Sequence, residues 1–185
     1  MHRTSLLSLL RLYQKKHPEE QEICLSFIRF VQDNANCFER SLAKGHVTGS
    51  AWLVNTDHSK ILLTHHRKLN KWLQLGGHAD GESDVCAVAL REAYEESGLK
   101  SILPLSEEIF DIDIHRIPEN SKEGAHFHYD VRFALEAQGS DKVIVSLESH
   151  DLSWISILAL HEQSDETSVL RMRQKWLSQR RLKGD

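Results

Sequence analysis

REAYEESGL, residues 91–99, places Arg91, Glu92, Glu95 and Glu96 within its first six positions and closes on Gly98 and Leu99. At the helical rotation of about 100° per residue, the three glutamates fall within an arc of about 100°. The pairs 92/95 and 92/96 are then direct neighbours, whose like charges destabilise the helix by about 0.2–0.5 kcal/mol each. The longer segment DVCAVALREAYEES, residues 84–97, reads as that helix, with Asp84 as its N-cap and Gly98 as its C′ residue. Cys86, Leu90, Ala93 and Tyr94 are expected to face a sheet, while Val85, Val88 and Ala89 form an apolar rim on the glutamate side. An acidic run of this kind is either a solvated surface patch or an oxygen-rich site for a hard divalent cation. The flanks favour the cation site. Arg91 can hold one carboxylate in a fixed rotamer, and LGGHADGE, residues 75–82, is a glycine-rich segment whose backbone can approach a ligand closely.

Upstream, Leu6, Leu9, Leu10 and Tyr13 recur at helical spacing, Pro18 opens a second segment, and Ile23, Phe27, Phe30 and Val31 continue it up to Asn34. Residues 1–42 therefore read as a helical extension whose apolar stripes need cover from the main domain or from a partner subunit. HVTGSAWLVN and KILLTHH are strand-like and predict a hairpin around NTDHSK. KWLQLGGHADGES reads as a short extended piece running into a glycine-rich loop. In FDIDIHRI, Phe110, Ile112 and Ile114 alternate with Asp111, Asp113 and His115. In HFHYDVRFAL, Phe127, Tyr129, Val131 and Phe133 alternate with His126, His128, Asp130 and Arg132. LSWISILAL ends a strand and begins a helix, and SDETSVLRMRQKWLSQRRL is a C-terminal helix. Residues 43–185 thus read as one mixed α/β (α+β) domain.

The chain of 185 residues carries a net charge of −4, which argues against nucleic-acid binding through a basic surface but leaves room for an anionic small substrate with a metal or local cations. Cys24, Cys37 and Cys86 are odd in number and widely spaced, the pattern of buried thiols in a reducing compartment. No apolar run approaches the ~18 residues a membrane span needs. The N-terminal MHRTSLLSLLRLYQKKH reads as a cytosolic amphipathic helix and not a targeting peptide. A cytoplasmic protein with no membrane partner is the expectation.

Arg91-Glu92-x-x-Glu95-Glu96-x-Gly98-Leu99, preceded by Gly76, Gly77 and Glu82, resembles the signature of the Nudix hydrolase family. The resemblance spans about residues 45–163 and includes Glu148, His150 and Trp154. It departs upstream: the leading glycine falls on Gly77, but the next signature glutamate falls on Ser83, with Glu82 one residue early. The fold implied is a Nudix-type α/β/α sandwich with a mixed sheet, plus the N-terminal helical pair and a C-terminal helix. The activity implied is hydrolysis of a pyrophosphate bond in a nucleoside diphosphate linked to another moiety, dependent on Mg²⁺ or Mn²⁺. Glu92, Glu95, Glu96 and Gly77 are the implied metal ligands, Arg91 orients a glutamate, and Glu148 is the candidate base, with Glu123 behind it. A Nudix-fold nucleotide-binding sensor or regulator is the alternative.

Gly76, Gly77, His78 and Arg67 are candidate phosphate contacts beside the loop, Arg67 lying in a basic run with His65, His66 and Lys68. Trp72 is either a base-stacking residue or core. The polar strand faces are either a solvated sheet surface or a cleft wall in which His126 and His128 meet phosphate or ribose; a transition-metal site at His126, His128 and His115 is a third reading. The expected partner is a small phosphorylated substrate, with a homodimer through the N-terminal helices as a possibility.

Overall fold

In the computed structural model, which describes residues 2–66, 70–119, 124–139, 142–144 and 149–183, the chain opens with α1 (Thr4–Lys16) and α2 (Gln21–Asp33), joined by a 3₁₀ turn at Pro18–Glu20. Then come β1 (Gly45–Val54), β2 (Lys60–His66), β3 (Lys71–Leu73), β4 (Leu75–His78), α3 (Val85–Ser97), β5 (Ile102–Pro104), β6 (Asp111–Ile117), β7 (His126–Ala137), β8 (Ser149–Ser156) and α4 (Thr167–Lys183).

The centre of the mixed sheet is a parallel pair. β1 runs beside β7 from Gly45↔Phe127 to Val54↔Glu136. On the outer side of β7 lie β6 and β5, both antiparallel to it. β4 pairs with β1 over residues 48–51. β2 touches β1 at Val54↔Ile61 and carries β3 and β8. The hairpin expected around NTDHSK is present through that single pair.

Period-2 alternation sorts the side chains of the central strands to two faces. Val47, Ala51 and Leu53 of β1, with Val131, Phe133 and Leu135 of β7, meet α3 and the N-terminal helices in one core. Leu6, Leu10, Tyr13, Cys24, Phe27 and Val31 are buried in that same core, so the helical pair covers this chain's own sheet. The opposite face begins polar, at His46, Thr48 and Ser50, and turns apolar at Trp52 and Val54. There α4 packs through Val169, Met172 and Trp176. Helices on both faces of a mixed sheet give the expected sandwich. Among the described residues no helix is long and apolar enough to cross a membrane.

Three local expectations fail. Phe110 does not share a face with Ile112 and Ile114: it precedes β6 and packs in the second core, its ring 5.7 Å from Trp52. Gly76 and Gly77 lie within β4 and not in a loop, because Ser50 and Gly49 of β1 pair with them. After β8 the chain makes only a 3₁₀ turn, Leu160–Glu162, before α4 begins at Thr167.

Candidate active site

α3 is held at both ends by the residues that its sequence designates. Asp84 Oδ1 accepts the Ala87 N–H at 3.1 Å, and Gly98 takes the left-handed conformation (φ 67°), its N–H reaching Tyr94 O at 3.0 Å. The helix buries Val85, Val88, Ala89 and Ala93, whereas Cys86, Leu90 and Tyr94 are only partly buried. This reverses the expected packing face. The reason is Gly49 of β1: a Cβ there would stand 2.9 Å from both Val85 O and Val88 Cγ1, so its absence lets that side of α3 sit directly on the sheet. The glutamate side is thereby turned toward β4 instead of away from the core.

The link between β4 and α3 is a tight turn. Asp80 and Gly81 both have positive φ (49° and 88°), and the Glu82 N–H closes on Ala79 O at 3.0 Å, the arrangement of a type I′ turn. Arg40 grips Asp80 through two hydrogen bonds of 2.6 and 2.5 Å, and Gly81 N–H reaches Phe38 O at 3.0 Å. The Arg40 hydrogen bond holds the Asp80 carboxyl below its ordinary range. Residues 38–40 therefore brace the turn that aims α3. The Glu82 carboxylate accepts the Asp84 N–H at 2.8 Å and so serves its own loop.

Glu92 and Glu96 come to rest on the consecutive glycines of β4. A Cβ on Gly77 would stand 2.5 Å from the Glu92 carboxylate, and Glu96 Oε1 accepts the Gly76 N–H at 2.8 Å. Arg91 donates to Glu92 Oε1 and to His78 O, each at 2.8 Å, which locks Glu92 onto the strand. The same hydrogen bond to Glu92 raises the Arg91 pKa. Glu95 turns outward: its side chain is 64% exposed and stands 3.9 Å from Arg91. The three carboxylates therefore do not meet at one point. Among the described residues, the groups that bring three metal-binding atoms within 4.8 Å are His46, His78 and His128, and His17, Glu19 and Glu20. Two carboxylates on one backbone segment still suit a hard cation, since Mg²⁺ is commonly held by one or two carboxylates plus waters and substrate oxygens.

On the other face of the sheet, the two alternating strands lie side by side, with Asp111↔Arg132, Asp113↔Asp130, His115↔His128 and Ile117↔His126. The polar row splits into two parts. Asp111, Asp130 and Arg132 are sealed from solvent. Arg132 bonds Asp130 at 2.7 Å and Asp111 at 2.9 Å, while Asp130 also accepts from Thr48 and Ser50 at 2.8 and 2.7 Å. Burial alone would raise the Asp130 carboxyl, but the Arg132 charge and its neighbours outweigh it and hold the pKa below the usual value. The second part is histidine. His46, His78, His126 and His115 gather around His128, whose imidazole is pushed down to about 2 by burial, with His78, His115 and His46 adding to the effect.

His78, His126 and His128 are thus brought together, on the face opposite Glu92. Trp72 is partly buried and stacks on His65 with ring centres 5.1 Å apart. Arg67, Lys68, Glu123 and Glu148, together with the side chain of His150, lie outside the described residues. Two positions of consequence escaped the sequence reading, His46 and Gly49. The signal for His46 was legible: His46, Thr48 and Ser50 alternate through the first half of β1. That for Gly49 was not, because the demand on it comes from a helix 36 residues later, at Val85.

A family model described as NUDIX domain matches residues 44–174. Comparison with curated proteins gives no match. Among solved structures, a MutT protein from Methanosarcina mazei Go1 aligns with TM-score 0.57 and 16% identity over 75% of this chain and 97% of its own. A Nudix hydrolase from M. smegmatis, RenU, gives TM-score 0.53 and 14% identity over 76% and 87%. A C. elegans Ap4A hydrolase gives 0.52 and 16% over 75% and 98%. At these identities the likeness is one of fold.

Proposed function

The chain belongs to the Nudix hydrolase family, and from that membership together with the seating of its glutamates we propose that it hydrolyses a pyrophosphate bond in a phosphorylated small molecule of the nucleotide type, using Mg²⁺ or Mn²⁺. The observation that carries this reading is the convergence of Glu92 and Glu96 on the Gly76–Gly77 backbone. A solvated acidic patch has no need of a helix side buried against a strand, or of an arginine that ties one carboxylate to that strand's carbonyl.

The residues fit a hard divalent ion. The donors are all carboxylate oxygens, which Mg²⁺ and Mn²⁺ prefer, and the Gly77 cradle leaves the Glu92 carboxylate against bare backbone. Glu92 and Glu96 would hold the ion, with the outward-turned Glu95 and a backbone group of Gly77 as the further ligands that the family resemblance implies. When bound, the ion neutralises the diphosphate, stabilises charge on the phosphoryl oxygens and acidifies water. Arg91 does not touch substrate: its hydrogen bonds to Glu92 and His78 O fix where the carboxylate points. Attack by water on phosphorus breaks the bridging P–O bond and releases a proton, which passes to a carboxylate. Glu148 is assigned that role on the family resemblance, with Glu123 behind it. Arg67 is assigned to the phosphates; His78, His126 and His128, expected there too, lie on the sheet face opposite Glu92, so the polarity of that face does not support such a role for them.

Neighbours named for Ap4A and for dihydroneopterin triphosphate set the breadth of the substrate panel. The apolar stripes of α1 and α2 are spent within the chain, so a homodimer through these helices would use their outer polar faces. The test is a screen of nucleoside triphosphates, dinucleoside polyphosphates, sugar nucleotides and ADP-ribose with Mg²⁺ and Mn²⁺, reading released phosphate or monophosphate. Glu96→Gln is expected to lower turnover by about 100-fold or more with an unchanged circular dichroism spectrum. Undiminished hydrolysis in that variant, or binding without turnover by the wild type across the panel, overturns the assignment.

A further inference from the structure

We propose that His46, His78 and His128 form a second cation site, separate from the glutamates of α3 and selective for a zinc-class divalent transition metal. Each histidine comes from a different strand, and the sheet ladder fixes all three. His46 and His128 are paired neighbours on the parallel β1 and β7. His78 pairs with Thr48, two residues along β1 and on the same face as His46. The ring centres are 4.8 Å apart for His46 and His78, 4.9 Å for His46 and His128, and 5.0 Å for His78 and His128. One ring nitrogen from each lies within 4.8 Å of the other two.

The donor chemistry selects the metal. Imidazole nitrogen suits Zn²⁺, Co²⁺, Ni²⁺ and Cu²⁺, whereas Mg²⁺ and Ca²⁺ take oxygen. The His46 side chain is buried at 1% exposure and the other two are half-buried. Zn–N bonds of about 2.0–2.1 Å place tetrahedral ligand nitrogens about 3.3–3.4 Å apart. Three protein ligands leave a fourth position open for water or an anion, as in catalytic zinc sites. His126 adjoins the cluster, its Nε2 3.4 Å from the His128 Nε2. It also lines a pocket of about 200 Å³ with Arg40, Leu42, Ala43 and Gly124, which gives a small ligand access.

The site is mechanically joined to the glutamates. His78 directly follows Gly77, and its carbonyl accepts the Arg91 hydrogen bond that positions Glu92. An ion drawing His78 toward His46 and His128 fastens β4 from the face opposite that on which Glu92 rests.

The full-length protein, stripped of metal, is titrated with Co²⁺ followed by visible absorption and with Zn²⁺ followed by calorimetry. About one equivalent of Co²⁺ is expected to give the intense spectrum of a low-coordinate nitrogen site, and Zn²⁺ is expected to displace it and raise Tm. His78→Ala and His128→Gln should each weaken Zn²⁺ binding by about 100-fold or more and abolish the Tm rise. Metal-free Tm and circular dichroism establish that each variant is folded; His78 is half-exposed, so His78→Ala is the variant that decides if His128→Gln does not fold. Glu96→Gln should bind Zn²⁺ as the wild type does, so this site and the Mg²⁺-dependent hydrolysis fail on different variants. A wild type without a nitrogen-site cobalt spectrum, or undiminished zinc affinity in His78→Ala, overturns the proposal. So does a loss of binding in His17→Ala alone, which would place the ion at His17, Glu19 and Glu20.

Discussion

Gly77 is the residue at which chain geometry and chemistry meet. Its missing side chain leaves space that the Glu92 carboxylate fills, and the neighbouring Gly76 N–H satisfies Glu96. A methyl group at Gly77 would lie 2.5 Å from Glu92 Cδ, so either the strand or the glutamate must move. The glutamate is the easier to displace, because its carboxylate is the end of a flexible side chain while β4 is bonded to β1 on both sides of Gly77. Gly77→Ala is therefore expected to lower metal-dependent turnover by about 100-fold, the usual cost of an ångström-scale misplacement. Its cost in stability should be no more than the roughly 1–3 kcal/mol of local overpacking. Turnover and thermal unfolding of the same preparation check this; a fully active Gly77→Ala protein would show that Glu92 is not held where the chemistry occurs.

At the scale of elements, α3 shows which features sequence alone makes legible. Its limits rest on local interactions: Asp84 caps Ala87 N–H, and Gly98 adopts the left-handed turn. Asp84→Ala should accordingly cost about 1 kcal/mol, read as a lower urea midpoint with an unchanged m-value; an unshifted midpoint would mean that the cap contributes nothing. The facing of β6 on β7 was likewise legible, because alternation over both segments puts Ile112 with Val131 and Phe133 on the buried face, although a slip of two residues would bury the same side chains. What sequence did not disclose is set by distant backbone. The face on which α3 packs depends on Gly49, the strand character of Gly76 and Gly77 depends on pairing with β1, and Phe110 changes sides because the ladder starts one residue after it. Three glutamates at helical spacing suggested one convergent site, yet only Glu92 and Glu96 are seated on β4, while Glu95 turns outward along the helix surface within 3.9 Å of Arg91. The histidine cluster escaped for the same reason: His46, His78 and His128 become neighbours only through two different strand pairings.

For the whole molecule, the two terminal helical regions are joined by a buried ionic network. Lys175 of α4 bonds Glu20 at 2.6 Å and Asp111 at 2.5 Å and also donates to the Tyr13 hydroxyl, which in turn donates to Glu20 at 2.6 Å. Arg171, also of α4, reaches Asp111 at 2.7 Å and Asp113 at 3.1 Å, and Arg132 reaches all three strand aspartates. Each of these aspartates thus faces at least one of Arg132, Arg171 and Lys175, as burial demands, because an uncompensated charge there is far costlier than the pair is favourable. Such a network makes stability depend on pH. Burial by itself would raise the Asp113 carboxyl, but the His115 hydrogen bond and the Arg132 and Arg171 charges outweigh it and hold the pKa far below the usual carboxylate range. The folded state therefore releases the Asp113 proton more readily than the unfolded chain. The stabilisation this brings is fully present above the unfolded pKa of about 3.9 and is lost as pH falls below it toward the folded value. Asp113→Asn removes this linkage while leaving those of Asp130 and its neighbours. The variant should be less stable than the wild type at pH 7, because Arg171 and Arg132 lose a counter-charge, and the deficit should shrink steadily below about pH 4. Unfolding by denaturant at a series of pH values measures both curves. If they run parallel through the acid range, Asp113 is not the ionised partner of Arg132 and Arg171.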